Sequence, residues 1–204
     1  MLILASASPR RTQLLQQIGV EHRVVPADID ERRLPHESVE ECVVRLCRTK
    51  AAQVWQRLRP GGAGDARMPA ASAVLGADTV VAVDDQLLGK PRDRDHALAM
   101  LRQLSGRTHQ VLSAVALINA RGVQHDLSIS EVRFRALSAD ECAAYCSSDE
   151  PLDKAGGYAI QGRAALFIER LSGSYSGVMG LPLYETGRLL ADAGLIAAAS
   201  GAQL

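Results

Sequence analysis

Aromatic residues make up only 3% of this 204-residue chain. That scarcity argues against the stacking platforms on which single-stranded nucleic acid is bound. Neither sign of charge is in excess, since 23 Lys and Arg balance 23 Asp and Glu. Nothing in the overall charge draws the chain toward duplex nucleic acid or an acidic membrane surface. Any affinity for a polyanion must therefore be local, which suits a pocket better than a broad face. No apolar run approaches the roughly 18 residues of a membrane span. The N-terminus lacks a basic leader region and turns polar at Ser6, so the expectation is a cytoplasmic protein. The four cysteines, Cys42, Cys47, Cys142 and Cys146, form no C-x-x-C pair and are expected to be reduced structural thiols. The five histidines show no zinc-ligand spacing. Neither a G-x-x-x-x-G-K-[ST] phosphate loop nor a G-x-S-x-G nucleophile elbow is present.

What is present is an alternation of strand and helix signals in a chain that is 47% hydrophobic, enough for a substantial core. Leu2 to Leu4 is a short apolar run that predicts a buried strand. Ser8 followed by Pro9 predicts a helix start, because the missing N–H of proline costs nothing in the first turn. Ser38 with Glu41, and Ser138 with Glu141, predict capping boxes for two further helices. Asp84-Asp85 predicts a hairpin turn, and Arg121-Gly122 joins two strands of antiparallel character. The run Val74 to Val83 reads as a strand interrupted at Gly76 and Asp78, and Ala165 to Leu171 as a later strand. Residues 60–71 are rich in Gly, Ala and Pro and read as a flexible insert. The pattern predicts one α/β or α+β domain over residues 1–204, with a mixed, twisted sheet and loops gathered at a cleft.

Cations recur at places that suit an anion. Arg10 and Arg11 occupy the first turn of a helix, where the dipole disfavours positive charge unless an anion is bound there. Lys50 lies in Arg-Thr-Lys-Ala, Lys90 in Leu-Gly-Lys-Pro, and Lys154 just before Ala-Gly-Gly-Tyr. Gly156 and Gly157 permit backbone angles that bring the chain close to a ligand. Each of these alone is more often a solvated charge or an ordinary turn; together they form an anion-binding set. Among carboxylates, Asp78 stands inside an apolar run, where an unpaired charge is costly. It needs a cation, a metal or local hydrogen bonds. Glu31 lies in a polar, acidic loop, and Asp153 either pairs with Lys154 or helps to hold a metal. Many cations, a few carboxylates and no evident nucleophile suit metal-assisted attack of water on a phosphate ester or anhydride.

Five stretches, Leu-Ile-Leu-Ala-Ser-Ala-Ser-Pro-Arg-Arg, Gly-Ala-Asp-Thr-Val-Val, Leu-Gly-Lys-Pro, Asp-Lys-Ala-Gly-Gly-Tyr-Ala-Ile-Gln-Gly and Gly-Ser-Tyr-Ser-Gly-Val-Met-Gly-Leu-Pro-Leu, resemble the motifs of Maf-family nucleoside triphosphate pyrophosphatases, in family order over residues 2–184. The resemblance implies an elongated α/β fold, similar to inosine triphosphate pyrophosphatases, with two lobes around a central cleft. It implies hydrolysis of a nucleoside triphosphate to the monophosphate and pyrophosphate with a divalent cation, Mg²⁺ or Mn²⁺, in the clearing of non-standard or excess nucleotides. The family's general base falls on Asp78, and its base-selecting positions fall on Arg10, Thr79 and Gln161. Phosphate contacts would fall on Ser8, Arg11, Lys50, Lys90 and Lys154, and metal contacts on Glu31 and Asp78. The stretch from Gly173 to Thr186 resembles the branch that prefers dTTP and UTP, although Gly177 stands where that branch commonly has Asn. A homodimer is compatible with the resemblance, and nucleic acid and membrane are not expected partners. The competing readings are a phosphatase or nucleotidyltransferase, and a nucleotide-binding regulator of division or septum formation without turnover.

Overall fold

The computed structural model describes residues 1–59, 69 and 72–197; the insert anticipated at 60–71 falls, apart from Pro69, outside the described residues. In chain order the elements are β1 (Leu2–Leu4), α1 (Pro9–Gln17), β2 (His22–Val24), α2 (Val39–Leu58), β3 (Ala73–Val83), β4 (Gln86–Leu88), α3 (Arg94–Leu104), β5 (Thr108–Asn119), β6 (Gly122–Phe134), α4 (Ala139–Cys146), β7 (Ile168–Ser172), α5 (Tyr175–Met179) and α6 (Leu183–Asp192). The strands form a seven-stranded mixed sheet in the order β2-β1-β3-β5-β6-β7, with β4 paired to β3. No helix among the described residues is long and apolar enough to cross a membrane.

The chain divides into two compact units. The first comprises Met1–Asp78, Ala114–Leu127 and Gly180–Leu204. Here β1 lies parallel to both β2 and β3, with Leu2 opposite His22 on one side and Ala73 on the other. Leu2, Ile3 and Leu4 are all buried, as a strand covered on both faces requires. Pro9 opens α1 as the sequence predicts, but the Ser8 hydroxyl makes no cap hydrogen bond. Instead the Ser8 N–H donates to Ser6 Oγ at 3.2 Å. Leu14 and Leu15 fix the buried side of α1, each contributing ~2 kcal/mol of apolar burial. The Ser38–Glu41 capping box forms in full at the start of α2.

β3 is continuous from Ala73 to Val83, so the expected interruption at Gly76 and Asp78 does not occur. Gly76 has another reason. A Cβ there would lie 2.3 Å from the Cys47 carbonyl oxygen and 2.8 Å from the Ala51 nitrogen. The glycine lets the strand touch the backbone of α2.

The second unit comprises Thr79–Ser113 and Ser128–Met179. Asp84 and Asp85 have φ of 51° and 59°, the left-handed pair of a tight hairpin turn between β3 and β4. Asp93 caps α3 through His96 N–H, and the Ser138–Glu141 box caps α4. Both phenylalanines and two of the four tyrosines of the chain meet in this core. The rings of Phe134 and Tyr158 stand edge to face at 4.9 Å, and those of Tyr145 and Phe167 at 5.3 Å. The strand anticipated at Ala165–Leu171 is shifted: Arg163–Phe167 winds as a 3₁₀ turn that buries Phe167, and β7 follows it, antiparallel to β6. The short α5 was not anticipated, since five residues are too few for a readable period. All four cysteines are free and buried, as expected, and burial pushes the Cys47 thiol up to about 12.

Candidate active site

In the first unit the sequence-selected residues assemble around Asp78. Asp78 is 7% exposed near the middle of β3, where the strand's alternation turns its side chain toward α2. Lys50 on α2 is 8% exposed, and its Nζ donates to Asp78 Oδ1 at 2.6 Å. The same ammonium reaches Glu31 Oε1 at 2.5 Å. One cation thus joins two carboxylates that are 47 residues apart in the chain (78 − 31). Burial pushes the Asp78 carboxyl above the usual range, and Lys50 and Arg11 pull against it.

Glu31 belongs to a loop with no regular structure, and α2 holds that loop in place. Arg45 pairs with Glu37 at 2.6 Å and donates to the Arg32 carbonyl at 3.0 Å. Gln53 accepts from Asp28 N–H at 2.8 Å and donates to the Asp28 carbonyl. Arg57 donates to the Pro26 carbonyl at 3.3 Å. These side chains recur at helical spacing along one side of α2, with Lys50 among them. The Arg45 guanidinium holds the Glu37 carboxyl down to about 2.

Arg11 is directed inward. Its Nε donates to the Gly180 carbonyl at 2.8 Å, and its Nη1 to Ser6 Oγ at 3.0 Å and to the Ala77 carbonyl at 2.8 Å. The guanidinium therefore clasps the residue before Asp78 to the start of α1. Burial lowers its pKa, and the charge of Asp78 opposes that. Arg10 and Ser8, on the first turn and at its cap, remain partly exposed.

The second unit holds the remaining candidates. Thr79 Oγ1 lies 2.9 Å from Ser113 Oγ, which donates to the Gly177 carbonyl at 2.6 Å. Ser113 was not singled out from sequence, yet a polar residue inside the apolar run of β5 is the same signal that marked Asp78. Lys90 is exposed just after β4, in a segment tied to the glycine turn by Gly156 N–H donating to the Gly89 carbonyl at 3.0 Å. Gly156 and Gly157 both have φ of 70°, and a Cβ on Gly156 would press on Val81 at 2.9 Å. Lys154 donates to the Glu150 carbonyl at 2.7 Å and to Asp153 Oδ1 at 2.5 Å, so Asp153 pairs with its neighbour. Gln161 is exposed.

At the joint of β3 and α2 this α/β protein therefore carries a buried carboxylate of raised proton affinity on an ammonium, with an inward-facing guanidinium fixed to the carbonyl of the preceding residue. A family model described as "Maf-like protein" matches residues 1–193, and the chain belongs to that family. It is 50% identical over 202 residues to a protein of Aromatoleum aromaticum named dTTP/UTP pyrophosphatase, covering 95% of each chain. Relatives with the same name are those of Escherichia coli K12, 47% identical over 94% of this chain and 92% of the relative, and Nitrosomonas europaea, 48% identical over 95% of each.

Proposed function

We propose that this protein hydrolyses nucleoside triphosphates, dTTP and UTP in preference to others, to the monophosphate and pyrophosphate. The observation that carries the reading is the buried Asp78 carboxylate on Lys50, in a chain about half identical to proteins bearing that name. Asp78 accepts the proton of the attacking water as the water oxygen bonds to the α-phosphorus. The bond from that phosphorus to the α,β-bridging oxygen breaks, and its electron pair leaves with pyrophosphate. Burial raises the proton affinity of Asp78 above that of an ordinary carboxylate, which favours a general base. In this reading Arg10, Ser8 and the remaining nitrogen of the Arg11 fork receive phosphate oxygens, a role supported by their position at the start of α1 and by the helix dipole. Lys50 changes partner, from carboxylate to phosphate, when the polyanion arrives. Lys90 and Lys154 are assigned to further phosphate charge.

The donor set fits a hard divalent cation. Glu31 and Asp78 both place carboxylate oxygens on one ammonium nitrogen, and no group of three or more His, Cys, Asp or Glu suited to a metal occurs among the described residues. Mg²⁺ needs only one or two protein carboxylates when substrate phosphates and water complete its shell, and Mn²⁺ accepts the same oxygens. Glu31 and Asp78 would hold it, and when bound it would offset phosphate charge and order the pyrophosphate leaving group. Gln161 presents a carboxamide, donor and acceptor together, to the matching edge of uracil or thymine. Arg10 and Thr79 are the other base-selecting residues in this reading.

Product analysis is the test. Incubation with dTTP or UTP and Mg²⁺ or Mn²⁺ is expected to release monophosphate and pyrophosphate in equal amounts. Inorganic phosphate plus diphosphate would indicate a phosphatase, and binding without release would indicate a regulator. Asp78→Asn should lower kcat by roughly 10²–10⁴-fold, the usual worth of a general base. A variant that keeps half the wild-type rate removes Asp78 from that role.

A further inference from the structure

Gln161 sits at the tip of a tight turn. Gly162 N–H donates to the Ala159 carbonyl at 3.0 Å, which folds residues 159–162 back with Ile160 buried and Gln161 exposed. One linked pair of side chains grips both flanks of this turn. On the near side, Tyr145 Oη accepts from Ala159 N–H at 3.3 Å. On the far side, Glu150 Oε2 accepts from Arg163 N–H at 3.2 Å. The pair is joined to itself, the Tyr145 O–H donating to Glu150 Oε1 at 3.0 Å. Tyr145 is anchored in the core at 1% exposure. The fit is close: a Cβ on Gly162 would lie 2.2 Å from Glu150 Oε1.

The chemistry of the pair is demanding. Two donors, a phenol O–H and a backbone N–H, converge on one side chain, and a carboxylate offers an acceptor oxygen to each. A carboxamide would offer one acceptor and turn an NH₂ toward the other donor. A phenol at position 145 is needed twice over, as acceptor for Ala159 and as donor to Glu150. Tyr158, Ala159 and Ile160 are buried, and the Tyr145 hydroxyl supplies the acceptor that the buried Ala159 N–H needs. What the clamp adds is a fixed position for the one exposed residue between its two ends.

We infer that Tyr145 and Glu150 are positioning residues for base selection: they hold the Ala159–Gly162 turn so that the Gln161 carboxamide meets a pyrimidine edge in a single register. The inference rests on the reading of Gln161 as a base-selecting residue. Loosening the turn lets the carboxamide reach alternative edges, so discrimination falls before turnover does.

The experiment compares kcat/KM for UTP and CTP, which share sugar and triphosphate and differ at the base edge. The variants are Tyr145→Phe, Glu150→Gln and Gly162→Ala, with Gln161→Ala in parallel. Gly162→Ala displaces the carboxylate without changing its chemistry; φ at Gly162 is −104°, a backbone angle open to alanine, so the clash falls on the Glu150 side chain. It keeps the idea testable should either of the other two fail to fold. In each clamp variant the UTP:CTP ratio is expected to fall roughly tenfold, with kcat for UTP within about threefold of wild type, since misplacement by about 1 Å can cost up to about 100-fold. A purely structural role would lower the unfolding midpoint and depress both substrates alike, and an unchanged ratio in all three variants overturns the inference. If Gln161→Ala collapses the ratio while the clamp variants keep it, the positioning role alone fails. If Gln161→Ala also leaves it unchanged, the base-selecting assignment falls and the positioning role with it.

Discussion

Replacing His109 with leucine should flatten the stability of this protein between neutral and acid pH. His109 lies on β5 at 2% exposure, packed edge-on against the rings of Phe134 and Tyr158 at 5.1 and 5.4 Å. Its Nε2 is 2.8 Å from the Tyr158 hydroxyl, and its Nδ1 has no hydrogen-bond partner among the described residues. Protonation would make both nitrogens donors and leave one N–H buried with nothing to receive it. Burial accordingly lowers the His109 pKa from 6.5 to about 4. The unfolded chain takes up this proton below about pH 6.5 while the folded chain refuses it until about pH 4, so stability is intact above the first value and is lost as pH falls toward the second. The drop corresponds to ~3 kcal/mol, at about 1.4 kcal/mol per pH unit. Nearly complete burial leaves little solvent screening to reduce it. Denaturant unfolding of wild type and His109→Leu, followed by circular dichroism across this range, isolates the effect as a difference. The Glu37 and Glu141 carboxyls, held down to about 2 by Arg45 and Arg135, titrate lower and are common to both proteins. The wild-type advantage should shrink by ~3 kcal/mol from about pH 7.5 to about pH 4. A difference that stays constant, or grows on acidification, refutes the reasoning.

Other substitutions probe the first unit. Gly76→Ala drives a Cβ into the Cys47 carbonyl and Ala51, backbone that cannot yield cheaply; a loss of ~3 kcal/mol is expected, and a loss under ~1 kcal/mol in denaturant unfolding would show that β3 and α2 separate easily. Lys50→Met strands Asp78 beside Glu31 without its cation. It should destabilise by ~3–5 kcal/mol, and adding Asp78→Asn should restore part of that. A double variant no more stable than Lys50→Met alone would mean that the buried charge was not the cause.

The legibility of this chain divides along the range of the interactions concerned. Capping boxes at Ser38 and Ser138, the Asp84-Asp85 turn and the helix start at Pro9 could all be read directly, because each is decided within four residues of chain. Asp78 stood out because a carboxylate in an apolar strand needs a partner, and Lys50 was one of the cations named for anion binding. That these two meet, with Glu31 on the same ammonium, depends on the crossing of α2 and β3. Gly76 was misread as a break in the strand, since the helix that forbids its side chain is some 25 residues away in the chain (76 − 51). Arg11 was read as a phosphate contact, and its bonds to Ser6, Ala77 and Gly180 are invisible to any local pattern.

By itself, then, the order of residues determined the local elements, the family and the short list of groups able to bind anions or accept protons, because backbone propensities and motif chemistry act over a few positions. Only the tertiary structure decided which of those groups pair, which cation faces inward, and that a tyrosine and a glutamate bracket Gln161. Those outcomes depend on distances between segments remote in sequence, and burial at these meeting points sets the strength of every charge involved.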